Sequence, residues 1–288
     1  MLPDKYGTLP IHDACGDGGA NIDLIKFLHN VAPTSFSKRD GNGNLPIHRS
    51  VTSDINVVKF VTEAYKDALK EGNRKLQVPL HWACSLNVNI DVIKFLHQSY
   101  GAAAVTKDSN GQLPFHLAIT DLEIIRYLYK AYPKAIKVQD NNGHCPIHLA
   151  IIKKAPFDVI TFLCETHLKS LRKQDKHGML PLHHVFAQKT PITTIKCVLD
   201  SYPEAIYHED HEKRLPFHIA VTCCDFEVIT FLRTKHSETF KQIMTNPFNN
   251  NNTTTTNDNN KRKREEDEKS NFKHEHEDPF NLHCSKGI

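Results

Sequence analysis

A short phrase, proline followed by a hydrophobic residue and histidine, recurs seven times along the chain. Its histidines are His12, His48, His81, His116, His148, His183 and His218, and neighbouring copies are 32 to 36 residues apart. A period of this length is typical of a solenoid, in which stacked copies of one small unit bury a continuous core. The repeat therefore constrains the fold more strongly than any local pattern.

Each copy carries the signals of a turn followed by two helices. Five copies begin with Asp-x-x-Gly, namely Asp4–Gly7, Asp40–Gly43, Asp108–Gly111, Asp140–Gly143 and Asp175–Gly178. Asp at the first position and Gly at the fourth favour a type I turn, which predicts a loop tip. The proline that follows fits the first turn of a helix, and the residue before it should be extended. Some ten residues later, apolar residues recur with helical spacing, which predicts a second helix with a wide apolar face.

The unit resembles the ankyrin repeat over roughly residues 4–236. That family carries Thr-Pro-Leu-His-x-Ala, and this chain keeps Pro-hydrophobic-His in every copy and the alanine in five. The threonine is replaced by Leu, Val or Cys, and the Gly-His pair usual between the family's two helices is absent. The tetratricopeptide repeat has a similar period, but its Trp-Leu-Gly-Tyr pattern is missing. The resemblance implies an all-α ankyrin-repeat solenoid of seven repeats over residues 1–244, with a short last helix near Ser237–Met244.

Three departures from the pattern lead to further expectations. The third copy reads Asn73-Arg74-Lys75-Leu76 and the seventh reads Asp210-His211-Glu212-Lys213, so both lack the glycine. Their loops are therefore predicted to be distorted or specialised. The first copy begins almost at Met1 without a polar cap, although terminal repeats normally need one. This start predicts either a fragment or an end that something else covers.

Composition limits the classes of protein. Hydrophobic residues make up 39% of the chain, and 36 basic residues nearly balance 33 acidic ones, which makes nucleic acid or a membrane an improbable partner. No secretory leader and no apolar stretch of bilayer length is visible. Eight cysteines without a CxxC pair do not indicate a disulfide scaffold. A cytoplasmic protein, alternatively a nuclear one, is predicted.

No motif for catalysis or cofactor binding is recognisable, so the sequence predicts neither an enzyme nor a cofactor. Zinc ligands cluster in fours, whereas the repeat histidines occur once per unit. They are therefore interpreted as hydrogen-bonding residues at helix starts and neighbouring loops, and His183-His184 is interpreted in the same way. No metal site is predicted.

The resemblance implies a protein–protein interaction scaffold or adaptor that holds its partner in a concave groove of loop tips and first helices. The residues predicted to contact this partner are Lys5, Tyr6, Asn42, Asn44, Arg74, Lys75, Gln77, Asn110, Gln112, Asn142, His144, Lys176, His177, Met179, His211 and Arg214. Since loops are polar simply because they face water, a purely structural interpretation has equal weight. The excess of cations favours an acidic or polar partner segment. Trp82 is either an anchor for that partner or part of the helix packing.

The tail, residues 245–288, differs in composition. Residues 249–260 are nearly all Asn and Thr, which predicts disorder. The run Lys261, Arg262, Lys263 and Arg264 is a candidate nuclear import signal, although it is short and a solvated linker is an equal alternative. Two further functions stay open: a nuclear regulatory protein that uses this run, and a fragment of a larger ankyrin-containing kinase or ligase.

Overall fold

A computed structural model describes residues 3–16 and 20–237 of the chain. The predicted disordered tail, the basic run and nearly all of the predicted last helix lie outside these residues. The described residues up to Thr234 form one compact unit. None of the helices in this part of the chain has the length and apolar composition needed to span a bilayer.

The described chain folds into α-helices in pairs, with no strand. The first helices of the pairs are α1 (Pro10–Cys15), α3 (Pro46–Ser50), α5 (Pro79–Ser85), α7 (Pro114–Leu117), α9 (Pro146–Ile152), α11 (Pro181–Ala187) and α13 (Pro216–Cys223). The second helices are α2 (Ile22–Val31), α4 (Ile55–Ala64), α6 (Ile90–Ser99), α8 (Leu122–Ala131), α10 (Phe157–Thr166), α12 (Ile192–Ser201) and α14 (Phe226–Lys235). The predicted turn and two helices per unit are confirmed.

Proline begins every first helix, as predicted, because its fixed φ suits the first helical position and the preceding residue is extended. Leu113, for example, has φ −86° and ψ 161° before Pro114. The second helices begin at conventional caps. Asn21 and Asp121 each accept two backbone N–H groups of the helix that follows, as N-cap side chains do.

A 3-10 turn of five residues follows each of the first six second helices, and the sequence analysis did not predict it. These turns are Pro33–Ser37, Lys66–Lys70, Gly101–Val105, Pro133–Lys137, Leu168–Arg172 and Pro203–Tyr207. Each one buries an apolar pair or a small residue beside an apolar one, such as Ala135 and Ile136, which are 1% and 3% exposed. The turns therefore contribute to the core, although the sequence signal at the Tyr-Pro pairs indicated only a helix end.

The repeat histidines form a ladder through the core, and most of them make the hydrogen bonds that the structural interpretation predicts, although Nδ1 of His81 and Nε2 of His148 have no partner. In His116, Nδ1 accepts the N–H of Leu113, and Nε2 contacts the carbonyl oxygen of Val138 in the next repeat at 3.1 Å. His48 does the same with Leu45 and the carbonyl of Gln77. Each such histidine thus fixes its own helix start and links it to the following unit.

The loops of the third and seventh copies keep the shape of the others, so the predicted distortion is wrong. Leu76 and Lys213 adopt φ of 56° and 62°, in the left-handed region that Gly43 occupies at 78°. Asn73 takes over the role of aspartate, because its Oδ1 accepts the N–H groups of Lys75 and Gln77. The loop shape is therefore maintained at the expense of backbone strain at two non-glycine residues.

The missing Gly-His pair between helices is replaced in a similar way. Asn87, Lys154 and Lys189 adopt φ between 51° and 53° after first helices α5, α9 and α11. Beyond Lys154, the N–H of Ala155 donates to the carbonyl of Ala150 at 2.8 Å, as in the helix ending that glycine usually supplies. Non-glycine residues therefore close these helices without a change in geometry.

Candidate functional site

The loop tips of neighbouring repeats are joined by a ladder of backbone hydrogen bonds. We number the residues of each loop from its Asp (or Asn73) as the first position to the residue after the Gly (or Leu76, Lys213) as the fifth. In every case the N–H of the second residue donates to the carbonyl of the third residue in the preceding loop. The donor–acceptor pairs are Gly41–Tyr6, Arg74–Asn42, Ser109–Lys75, Asn141–Asn110, Lys176–Asn142 and His211–His177, at 2.8 to 3.2 Å. The main chain therefore holds the tips at fixed positions.

The carboxylate at the first position of the internal loops is buried and organises the loop from within. Asp108, 4% exposed, accepts the N–H groups of Asn110 and Gln112 on Oδ1, at 2.9 Å each. Asp40, Asp140, Asp175 and Asp210 accept the equivalent N–H groups. A buried carboxylate needs such partners for both oxygens, because an unpaired charge in the interior is costly.

The second carboxylate oxygen, Oδ2, is paired with a side chain that differs from repeat to repeat. Arg49 contacts Asp40 at 3.0 Å, and Arg214 contacts Asp210 at 2.9 Å. The amide of Gln77 donates to Asp108 at 3.2 Å, and that of Gln112 donates to Asp140 at 3.1 Å. In repeat six the partner of Asp175 is His184, at 2.8 Å.

The structure divides the sixteen predicted contact residues by their loop position. Those at the second and third positions are all exposed: Lys5, Tyr6, Asn42, Arg74, Lys75, Asn110, Asn142, Lys176, His177 and His211. Those at the fifth position turn toward the fold, and Gln77, Gln112, His144 and Met179 are half-buried while Arg214 remains exposed. Asn44, 2% exposed, donates to Asp40 and accepts from Asn73, so it offers a partner almost no surface.

Two shallow pockets lie between the tips and the first helices of repeats one to three. The first, about 630 Å³, is lined by Lys5, Tyr6, Asn42 and Arg49 among others. The second, about 420 Å³, shares Asn42 and Arg49 and adds Trp82. Arg49 therefore contributes to both pockets while it contacts Asp13 at 3.5 Å and Asp40 at 3.0 Å.

The loop pattern and Trp82 alone do not point to Arg49. Arg49 and Trp82 both directly follow the repeat histidine, and this position faces the pockets in repeats two and three. Trp82 is half-buried, stacks edge-on against His48 with ring centres 6.4 Å apart, and has a buried Nε1 with no hydrogen-bond partner. Arg49 could have been identified because, like Trp82, it is the residue directly after the repeat histidine.

A second group of polar side chains lies between repeats five and six. His144 at the fifth position of one loop faces Asp140 and Asp175, with its Nδ1 3.6 Å from the former and its Nε2 3.5 Å from the latter. These carboxylates, first Asp140 and then Asp175, raise the pKa of His144 to about 9. Burial opposes ionisation of Asp175, but its contacts with His144 and His184 hold the pKa of this carboxyl well below its usual range.

His148 of the repeat ladder completes this group. Its ring centre is 5.9 Å from that of His144 and 5.7 Å from that of His184, and the two latter rings are also 5.7 Å apart. Burial is the main reason that the pKa of His148 is lowered to about 3, so this ring is neutral. Within the part of the chain that the structure describes, His144, Asp175 and His184 are the one group of three whose donor atoms lie close enough to hold a metal ion.

Comparison with known proteins identifies the type of fold. Residues 80–175 match the family model described as ankyrin repeats (3 copies). The solved ankyrin repeat domain of Bcl-3, described as a unique member of the IkappaB protein family, matches with a TM-score of 0.59 and 17% sequence identity. This match covers 75% of the present chain and 95% of that chain. No curated protein sequence matches the chain. Neither the family model nor the solved structure indicates an enzyme family.

Proposed function

Since this chain carries ankyrin repeats and folds as an ankyrin-repeat solenoid, we propose that it is a non-catalytic interaction module. It binds a partner protein along its loop tips and the adjoining surface of its first helices. Ankyrin repeats imply protein partners in general, and the tips of this face carry a row of exposed side chains. The fold alone does not fix the function, so the proposal depends on the surface itself.

The observation that carries the proposal is that different residues of each loop hold the fold together and face the solvent. Backbone atoms and the first-position carboxylates hold the loops together, while the side chains at the second and third positions are exposed, although the amide of Asn141 also donates to the carbonyl of Ser109. A row of exposed side chains on a fixed frame loses little conformational freedom on binding, which favours recognition.

The charge of the row favours an acidic partner segment. Lys5, Arg74, Lys75 and Lys176 are exposed and form no ion pair with any residue that the structure describes. Arg214 differs, because Asp210 and Glu212 lie 2.9 Å and 2.8 Å from its guanidinium and compensate its charge. The uncompensated cations therefore belong to the tips of repeats one, three and six.

The pockets beside Arg49 and Trp82 supply the places where single side chains of the partner insert. Tryptophan and arginine dominate binding energy at many interfaces. Here they line the same 420 Å³ pocket, together with the exposed Leu86. Because Asp40 and Asp13 already compensate the charge of Arg49, an apolar side chain of the partner fits this pocket, while its acidic residues meet the uncompensated cations of the tips.

The test uses a random peptide library displayed on phage and selected against the full chain. Peptides enriched in Asp and Glu are expected. Their affinity should fall about tenfold or more when Arg74, Lys75 and Lys176 are all replaced by Glu, since like charges at an interface oppose binding. Stability should change by less than about 0.5 kcal/mol, because these side chains make few packing contacts.

A matched control carries the same charge change on the opposite surface, with Lys26, Lys59 and Lys134 replaced by Glu. All three are exposed on second helices or the 3-10 turn of repeat four. The selected peptides should bind this variant as they bind the original chain. Loss of binding in the control, with retention in the tip variant, would show that the partner binds elsewhere.

A further inference from the structure

Repeats five and six carry histidines at two positions that hold amide or guanidinium side chains in some of the preceding repeats. The fifth loop position carries Gln77 and Gln112 in repeats three and four, and their amides donate to the carboxylate of the next loop. The position after the repeat histidine carries Arg49 in repeat two, whose guanidinium binds its own loop carboxylate. In repeats five and six these two positions carry His144 and His184, and both face Asp175.

We propose that His144, Asp175 and His184 bind one zinc ion between repeats five and six. Imidazole nitrogen together with a carboxylate oxygen is a ligand set that suits zinc. The site does not depend on the proposed protein-binding function, and it differs from the sequence-based expectation that the chain holds no metal.

Of the two distances to Asp175, that from His184 is a hydrogen bond, whereas that from His144 is close to the spacing of two ligands of one metal ion. Nε2 of His184 lies 2.8 Å from Oδ2 of Asp175, and Nε2 of His144 lies 3.5 Å from the same oxygen. Ligand atoms bonded to a tetrahedral zinc at its usual bond lengths are about 3.3 Å apart. By contrast, 3.5 Å is too long for a strong hydrogen bond from His144. All three donor atoms lie within 4.8 Å of one another.

Burial of the ligands also fits a bound ion. Asp175 is 5% exposed and His184 8% exposed, while the side chain of His144 is 15% exposed and leaves a path from the surface. Partial exclusion of water raises the affinity of a carboxylate for a cation, because the charges attract each other more strongly in a medium of low dielectric constant. The backbone N–H groups of His177 and Met179 fix the other oxygen of Asp175, as partners outside the ligand set commonly do.

An independent observation points to the same place. Nδ1 of His148 accepts the N–H of Cys145, so the hydrogen of this neutral ring is on Nε2. That Nε2 is fully buried and has no hydrogen-bond partner. The carbonyl of Met179, which corresponds to the acceptor used by His48 at Gln77, raises the pKa of His148, but this effect is smaller than those of burial, His184, His144 and Asp175.

Because a buried donor without an acceptor is uncommon, the Nε2–H of His148 calls for an oxygen beside His144 and His184. A zinc ion with three protein ligands keeps its fourth position for water, and the oxygen of that water can accept this hydrogen bond. Three imidazoles around one tetrahedral zinc have ring centres about 5 Å apart. The ring centres of His144, His148 and His184 are 5.7 to 5.9 Å apart, slightly more than this value. The difference fits two rings that bind the ion directly and a third, His148, that bonds the water on the ion.

The experiment measures zinc bound to the full chain after treatment with a chelator and dialysis. One equivalent should bind, and the melting temperature should rise with zinc concentration, since a ligand of the folded state stabilises it. Cobalt(II) in place of zinc should give the visible absorption bands of a four-coordinate ion.

Two variants test the ligands with side chains that the protein already uses at the same positions. His144→Gln reproduces Gln112, and His184→Arg reproduces Arg49, so each replacement retains a partner for the Asp175 carboxylate. Each should reduce zinc affinity about 100-fold or more, beyond the loss that outer-shell changes cause. His177→Gln, at an exposed tip two residues from Asp175, is the control and should keep both the stoichiometry and the cobalt bands.

The original chain and the variants share all their other histidines. Only the difference in zinc affinity between the variants therefore reports on the proposed site. If the original chain binds no zinc, or if His144→Gln and His184→Arg bind it as tightly as His177→Gln, the proposal is wrong. The group would then be an ion-pair cluster between two repeats. Should one variant fail to give the helical spectrum of the original chain, the other decides.

Discussion

Each loop has an inner half and an outer half that follow different constraints. The inner half consists of the first, fourth and fifth positions: a buried carboxylate, a left-handed residue, and a side chain turned toward the neighbouring repeat. The outer half consists of the second and third positions, whose backbone atoms bond to the adjacent loops and whose side chains face solvent. The inner side chains are therefore constrained by partners within the fold, whereas the outer side chains are largely free of them, although the two halves are adjacent in the sequence.

The largest loss of stability should come from acid, because protons bind to the buried histidines of the ladder when the chain unfolds. Burial lowers the pKa of His48 and His116 to about 4, whereas an unfolded histidine titrates near 6.5. The unfolded state binds more protons between these values, so the folded state loses stability as the pH falls from about 6.5 to 4. Each histidine accounts for up to about 3 kcal/mol. Urea unfolding at pH 7, 5.5 and 4 measures the loss.

A pair of variants separates the ladder from the outer half in this titration. His116→Gln removes one buried group, so the free energy of unfolding should change less steeply with pH. Asn110→Gln changes an exposed tip without touching a titratable group and should leave the slope unchanged. His144 does not disturb the comparison, because its pKa is raised and its contribution is already complete below about pH 6.5. Equal slopes in the two variants would contradict the role given to the ladder.

Removal of one loop carboxylate should cause a smaller loss in the free energy of unfolding. Asp108 accepts three hydrogen bonds, two from backbone N–H groups and one from the amide of Gln77. Asp108→Ala should lower the free energy of unfolding by about 3 kcal/mol, because buried donors lose a charged acceptor. Chemical denaturation measures this change. The outer neighbour Asn110→Ala should change it by less than about 0.5 kcal/mol.

Asp108→Asn refines the same comparison, since Asn73 already occupies the first position in repeat three. An amide oxygen can accept the two backbone N–H groups, and the Gln77 amide can rotate to accept from the new side chain. The loss should be less than half of that caused by alanine. A loss as large as that of Asp108→Ala would mean that the charge, rather than the acceptor geometry, holds the loop.

Much of this architecture is readable from the sequence, because the periodic Pro-x-His phrase and the apolar spacing report on the core. The division within the loops is not readable in the same way. Asn42 and Asn44 are identical in type, yet Asn42 is exposed and Asn44 is buried beside Asp40 and Asn73. Only the fold of the neighbouring repeat decides which asparagine has a partner.

The group of His144 and His184 escaped prediction for a related reason. The two residues are forty positions apart in the sequence and belong to different repeats. The repeat histidines are spread singly along the ladder, and this regularity led to a structural interpretation of all of them, His184 included. His183 fits that interpretation, since its Nδ1 accepts the N–H of Leu180, whereas His184 turns to Asp175. Stacking creates a local cluster that spacing along the chain does not reveal.

The smallest expected effect is a gain in stability at the fourth loop position. Leu76 adopts φ 56° and is 59% exposed, so it bears backbone strain and buries little apolar surface. Leu76→Gly should raise the free energy of unfolding by about 0.5 kcal/mol, as relief of the left-handed strain exceeds the added entropy of the unfolded chain. Thermal unfolding of the purified variant measures it.

Gly111→Ala is the converse change at the same loop position. Gly111 has φ 72°, and a Cβ atom there would lie 2.4 Å from the side-chain oxygen of Asn141. This variant should be less stable than the original chain, while Leu76→Gly is more stable. If both variants were destabilised, Leu76 would have a packing role that its exposure does not indicate.

Main-chain atoms alone form the ladder that joins the loop tips. Except at Gly41, where an added Cβ would meet the carbonyl oxygen of Tyr6, and except for proline, a point mutation at a second or third position therefore changes what the surface displays and leaves these links in place. The residues that determine the fold are therefore largely different from those that determine which partner is bound. After a gene duplication, one copy can acquire a new partner through substitutions at its tips while both copies continue to fold by the same rules.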